Sequence, residues 1–127
     1  WGDEEWQGFY REIKQVFPEF EPEELPLDHP IFHCVYDLTE RPQIPAIGYA
    51  RQMANGETYT AQGYGTEEVH YWGLYDTNRR LMAVICHNTD LGDGWEREGE
   101  DPWYFREFSE KKAYPLGINI IFYAMTH

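Results

Sequence analysis

Six consecutive apolar residues, Leu81-Met82-Ala83-Val84-Ile85-Cys86, run without a break into a polar segment, His87-Asn88-Thr89-Asp90-Leu91-Gly92-Asp93-Gly94-Trp95-Glu96. An uninterrupted apolar run of this length reads as a strand buried on both faces, the environment of a central strand in an α/β sheet. Ligands of open α/β sheets gather beyond the carboxyl ends of the strands, so the polar segment is the candidate site. Upstream, Tyr71-Trp72-Gly73-Leu74-Tyr75 is separated from the run by Asp76-Thr77-Asn78-Arg79-Arg80, which predicts a hairpin.

The remaining chain supplies what would pack against that hairpin. Trp6, Phe9, Tyr10, Ile13, Val16 and Phe17 recur at spacings of three and four, which predicts an amphipathic helix stopped by Pro18. Asp3, Glu4 and Glu5 suit the positive end of its dipole, with Asp3 as the expected cap. Pro22, Pro26 and Pro30 make the next stretch extended, and Ile31–Tyr36 reads as a short strand or a helical turn capped by Asp28. From Asp37 to Tyr71, prolines and glycines interrupt every period. Tyr49, Tyr59, Tyr64 and Tyr71 are costly to expose there, so an elaborated loop or lid that packs over something is expected. Arg97–Tyr104 reads as a loop, and a final helix lies within Phe108–Thr126. Leu116, Ile120, Tyr123 and Ala124 would cover the strand, while Pro115 is harmless only if the helix starts near Tyr114.

At 127 residues the chain is a single domain, residues 1–127. Its net charge of -13 argues against nucleic acid and anionic membrane surfaces as partners. No stretch reaches the ~18 apolar residues of a membrane span, so no membrane insertion is expected. Cys34 and Cys86 sit in apolar settings that suit inert thiols, although a disulfide between them stays open.

Three blocks, Leu27-Asp28-His29-Pro30-Ile31-Phe32-His33-Cys34-Val35-Tyr36, Asn88–Glu96, and Leu116-Gly117-Ile118-Asn119 with Tyr123-Ala124-Met125-Thr126-His127, resemble the bacterial domain-of-unknown-function family 4159 across nearly the whole chain. That family resembles the class I glutamine amidotransferase superfamily, including its trehalose-utilisation ThuA-like branch. The resemblance implies an α/β fold, the carboxyl-terminal portion of a flavodoxin-like sandwich with a central buried strand and a covering C-terminal helix. It further implies a missing N-terminal half of the same domain and an extracytoplasmic, periplasmic or secreted, location.

A glutamine amidotransferase needs a cysteine on a sharp turn, activated by histidine. Cys86 and His87 are strand neighbours whose side chains leave on opposite faces, and Cys34 has no glycine-flanked elbow, so glutaminase activity is not expected. The expected function is a ligand-binding or interaction module that lacks the nucleophile. The alternative is an enzyme acting on a carbohydrate or related polar metabolite, with His87, Asp93 and Glu96 as acid-base groups. Asn88, Asp90, Trp95, Trp72 and Trp103 would bind a small polar ligand or sugar, the indoles offering flat faces to its rings. No cofactor is expected, although Asp90 and Asp93 suit a divalent cation such as calcium. The structural alternative has Asp90 and Asp93 capping turns around Gly92 and Gly94, with Glu96 in a surface pair. His29 reads as a turn residue, His33 and His70 as satisfied structural groups. Asn119, inside an apolar helix, needs a partner, which the 87–96 loop would supply.

Overall fold

The computed structural model describes residues 2–51 and 65–127, a mixed α/β arrangement in which a three-stranded antiparallel sheet is flanked by helices. Tyr59 and Tyr64 of the expected lid lie outside the described residues.

Helix α1, Asp3–Val16, follows the predicted periodicity and ends before Pro18. Its cap is Gly2, with Asp3 already in the first turn. The Gly2 N–H donates to the Glu5 carboxylate at 2.8 Å, which holds the Glu5 carboxyl below its ordinary range. The sheet is β1 (Glu23–Glu24), β2 (His70–Tyr75) and β3 (Leu81–His87), in the order β1-β2-β3. The predicted hairpin therefore forms. Asp76 Oδ1 accepts from the Asn78 and Arg80 amides at 2.8 Å each, and Arg79 takes a left-handed φ of 64° to close the turn.

The expectation for the apolar run is corrected here. Among the described residues Leu81–Cys86 lies at the edge of the sheet, not at its centre, and Met82 is 41 % exposed. The central strand is β2, whose Tyr71 and Leu74 are buried. The described strands are all antiparallel.

The core centres on Leu25, Ile31, Phe32, Ile44, Tyr71 and Leu116. Pro30–Phe32 forms a 3-10 turn capped by His29, not Asp28: the Ile31 N–H donates to His29 Nδ1 at 3.2 Å. The Pro42–Ile47 segment, largely buried, leads into the short helix α2, Ile47–Ala50. A buried extended segment needs partners for its backbone, and side chains supply them. Tyr71 Oη donates to the Pro42 carbonyl at 2.6 Å, and Tyr104 Oη to that of Pro45 at 2.7 Å.

Helix α3, Leu91–Glu96, follows the polar turn. The stretch expected as a loop up to Tyr104 instead ends in a helix start. Asp101 Oδ1 accepts from the Trp103 and Tyr104 amides at 2.9 and 3.0 Å, and Pro102 opens α4, Pro102–Tyr104. The helix continues through a wider π-wound stretch, Phe105–Ala113, into α5, Tyr114–Thr126. Pro115 lacks an amide hydrogen, and the wide winding immediately before it removes the register conflict that a uniform α-helix would meet there. Gly94 lets α3 approach this stretch, since a Cβ at that position would stand 2.5 Å from the Ala113 Cβ.

Helix α5 buries Leu116, Gly117 and Asn119, but it does not seal the strand as expected. A cleft of ≈ 270 Å³ separates it from β3, with Leu81, Val84, Ile120 and Tyr123 among its walls. Among the described residues no helix is long and apolar enough to cross a membrane.

Candidate functional site

The segment after β3 is folded inward. Asn88 leaves the strand with a left-handed φ of 57°, a conformation that asparagine tolerates better than most residues. His87, Asn88, Thr89 and Leu91 are all buried as a result. Thr89 Oγ1 accepts from the Ile44 amide at 2.9 Å, the Asp90 amide donates to the Ile44 carbonyl at 2.8 Å, and Gln43 Nε2 donates to the Asn88 carbonyl at 2.9 Å. Asp90 Oδ1 caps α3 by accepting from the Asp93 amide at 3.0 Å. Asp93 uses both oxygens: Oδ2 accepts from the Ile47 amide at 2.8 Å, and Oδ1 from Arg97 Nε at 3.0 Å. The segment thus clasps residues 43–47 to the end of β3. Among the described residues, no three histidine, cysteine, aspartate or glutamate side chains are grouped to hold a metal ion.

His87 belongs to a different neighbourhood. On the α1 face of the sheet, Trp6 lies flat on Trp72, with ring centroids 4.8 Å apart, and stacks on His87 at 5.5 Å. His70, opposite His87 in the register, stacks on it at 5.2 Å. Trp72 Nε1 donates to His87 Nδ1 at 3.4 Å, and His87 Nε2 stands 3.1 Å from Asp3 Oδ1. Burial, reinforced by the adjacent His70, pushes the His87 pKa below its ordinary value, so the ring is neutral at neutral pH.

The other candidates are distributed around the fold. Glu96 is exposed on α3, 3.8 Å from Arg97, as a surface pair. Trp95 donates from Nε1 to the Ala113 carbonyl at 2.8 Å and covers Gly117, where a Cβ would meet the indole nitrogen at 3.0 Å. Trp103 sits edge-on against Phe108. His87, Asp93 and Glu96 each answer to different partners, and Trp72 shares its surroundings with His87 while Trp95 and Trp103 do not. Both thiols are free, and burial pushes the Cys86 thiol up to about 12.

The family model described as a domain of unknown function, DUF4159, matches residues 1–125. The chain belongs to this family. No curated protein and no solved structure matches it.

Within this DUF4159 chain, sequence reasoning misplaced the work of Asn119. Its Oδ1 accepts from the Val35 and Tyr36 amides at 3.2 and 2.8 Å, and its Nδ2 donates to the Tyr36 carbonyl at 2.9 Å. The partner is the segment after the 3-10 turn rather than the 87–96 loop. Histidines behave locally as expected of structural groups. His33 Nε2 faces the Leu27 carbonyl at 2.6 Å and Nδ1 faces Asp37, two acceptors that hold the ring's pKa above its ordinary value. His29, burdened by burial, is held below it.

The feature that the sequence reading missed lies on α5. Ile118, Ile121, Phe122 and Met125 are 43, 62, 44 and 80 % exposed, at the i, i+3, i+4, i+7 spacing of one helical face. The signal was present: Tyr114–Thr126 contains no charged residue, and a helix apolar all round needs cover on more than one side.

Proposed function

We propose that this DUF4159 chain is an interaction module that works through an apolar face, without a catalytic nucleophile. The observation that carries the reading is the second apolar stripe of α5, Ile118, Ile121, Phe122 and Met125, turned to solvent. Isolated apolar residues on a surface are ordinary, whereas a contiguous stripe beside an apolar cleft marks a binding surface. The high pKa of Cys86 and the engagement of both Asp93 oxygens support the same reading, because neither group is poised for chemistry. The flavodoxin-like sandwich and the glutamine amidotransferase and ThuA-like kinship belong to this proposal through the motif resemblance alone.

The test is titration with the apolar dye 8-anilinonaphthalene-1-sulfonate against the natural chain and an Ile121→Glu, Met125→Glu variant. The reading expects dye fluorescence with the first and its loss with the second, at similar melting temperatures. A natural chain that leaves the dye dark overturns it. The second reading, acid-base chemistry on a carbohydrate by His87, Asp93 and Glu96, rests on the resemblance to ThuA-like proteins. It stands only if glycoside turnover is found and a Glu96→Gln variant abolishes it.

A further inference from the structure

Strand β3 is bulged at its start. Leu74 pairs with Ala83 and Tyr75 with Leu81, so Met82 is an extra residue in the ladder. A bulge shifts the alternation of side chains by one and re-aims those on one side of it. Leu81 thereby joins Val84 and Cys86 on the face turned to α5, where all three pack against the core. The facing wall is α5 itself, which contributes Ile120, Tyr123, Ala124 and His127 at the spacing of one helical face. These walls bound the cleft of ≈ 270 Å³, and its two ends differ. Arg80 precedes β3 and His127 follows α5, and a chain of contacts brings them to the same end: Tyr75, the register partner of Leu81, has its Oη 3.0 Å from His29 Nε2, the His29 ring lies 5.4 Å from that of Tyr123, and Tyr123 stacks on His127 at 4.1 Å. The other end is apolar, walled by Leu91 and by Trp95, whose indole covers Gly117.

Arg80 is exposed and, unlike Arg79, which pairs with Glu23, has no ion pair or side-chain hydrogen bond among the described residues. In a chain with 23 acidic and 10 basic residues, none of the cleft's described walls is aspartate or glutamate. We propose that this cleft binds a medium-chain aliphatic carboxylate, its alkyl chain against Leu81, Val84, Cys86 and Ile120 and its carboxylate at Arg80. The alkyl chain gains by leaving water, while the carboxylate stays at a solvated mouth beside a guanidinium that can hold both of its oxygens. Size sets the class. Ile120 to His127 spans about 10 Å of α5, a length that octanoate fills and a long-chain lipid overruns. The net charge of -13 does not decide against an anion here, because at physiological salt charges beyond about 8 Å are screened and the nearest ones govern. Asp76, the acid of the turn before Arg80, is taken up by the Asn78 and Arg80 amides. An alkylammonium would meet Arg80 as a like charge, and a neutral alcohol would gain nothing from it. The site goes beyond the outer stripe of α5, since Ile118, Ile121, Phe122 and Met125 are not among its walls.

Nuclear magnetic resonance titration with sodium octanoate tests this, with octan-1-ol and octylammonium as the neutral and cationic counterparts, on the natural chain, Arg80→Gln and Ala124→Trp, folding being confirmed by circular dichroism. The expected result is saturable shifts at the amides of Leu81–Cys86 and Ile120–His127 with octanoate, and affinities about tenfold weaker for the alcohol and the amine. Arg80→Gln is expected to weaken octanoate about tenfold and leave octan-1-ol unchanged, and Ala124→Trp to abolish binding of both by filling the cleft from an exposed helical position. Arg80 is exposed, so its replacement keeps the test valid if Ala124→Trp fails to fold. A natural chain without saturable shifts, octan-1-ol bound as tightly as octanoate, or octanoate binding indifferent to Arg80→Gln overturns the proposal. The Ile121→Glu, Met125→Glu variant is expected to bind octanoate as the natural chain does; loss of binding there would move the ligand to the outer stripe and overturn the proposal as well. The dye titration reads that stripe, so either reading can fail while the other stands.

Discussion

Asn119 holds Tyr36 by both of its backbone groups, accepting from the amide at 2.8 Å and donating to the carbonyl at 2.9 Å. A carboxamide matches a peptide group in this way as a neighbouring strand would, so one side chain of α5 substitutes for a piece of sheet. Asn119 itself is 0 % exposed, so removing its carboxamide leaves a cavity against the Tyr36 peptide group, whose own residue is 44 % exposed. Asn119→Ala is expected to cost about 2–4 kcal/mol, and Asn119→Asp to cost a comparable amount because a carboxylate faces the Tyr36 carbonyl. Urea unfolding measures the loss, and hydrogen exchange shows it localised at the Val35 and Tyr36 amides.

Trp6 joins α1 to the sheet. It is 9 % exposed and stacks on both Trp72 and His87. Trp6→Ala is expected to destabilise the chain by about 3–5 kcal/mol and Trp6→Phe by less, read as the shift in denaturation midpoint.

Stability is expected to respond to pH in two opposed ways. His29 and His87 have folded pKa values below the ordinary 6.5, so the folded state binds fewer protons than the unfolded one. Their contribution is complete above the unfolded value and is lost as pH falls through their folded values. His33 has a raised pKa, so its contribution is complete below the unfolded value and is lost as pH rises through the folded one. Urea melts between about pH 5 and 8 are therefore expected to lose acid sensitivity in His29→Gln and alkaline sensitivity in His33→Gln.

Asp93→Ala removes the acceptor of the buried end of the Ile47 amide bond and the Arg97 pair together. A loss of about 1–3 kcal/mol is expected. Melts in excess calcium and in EDTA are expected to superimpose, since both oxygens of Asp93 are engaged and Asp90 caps α3; a rise in calcium would show that the clasp opens to bind the ion.

Cys86 is expected to resist iodoacetamide at pH 8 in the folded chain, because burial raises its thiol pKa to about 12, and to react once guanidinium unfolds it. Mass spectrometry of the labelled peptide distinguishes the two states.

The parts of the fold legible in the sequence are those set by neighbours along the chain. The spacing from Trp6 to Phe17 announces α1, and turn residues between two apolar runs announce the hairpin. The position of β3 at an edge was not legible, because an apolar run has the same composition whether a protein strand or an open cleft lies beside it. The clasp was half legible. Asp90 as a cap follows from local spacing, but Thr89 and Asp93 bind residues 44 and 47, and nothing local announces a pairing so distant in sequence. The start of α4 was available in Asp101-Pro102, a cap followed by a first-turn proline, and was passed over in favour of a loop.

The glutamates of β1 have a consequence for how large an assembly of this chain can become. A sheet with two open edges propagates, each added copy presenting the next template, and its natural end point is a fibre. Here Glu23 and Glu24, tied to Arg79, Arg41 and His70, close one side of the sheet formed by the described strands. The charged edge acts as a chain terminator: copies cannot add to this sheet from both sides at once.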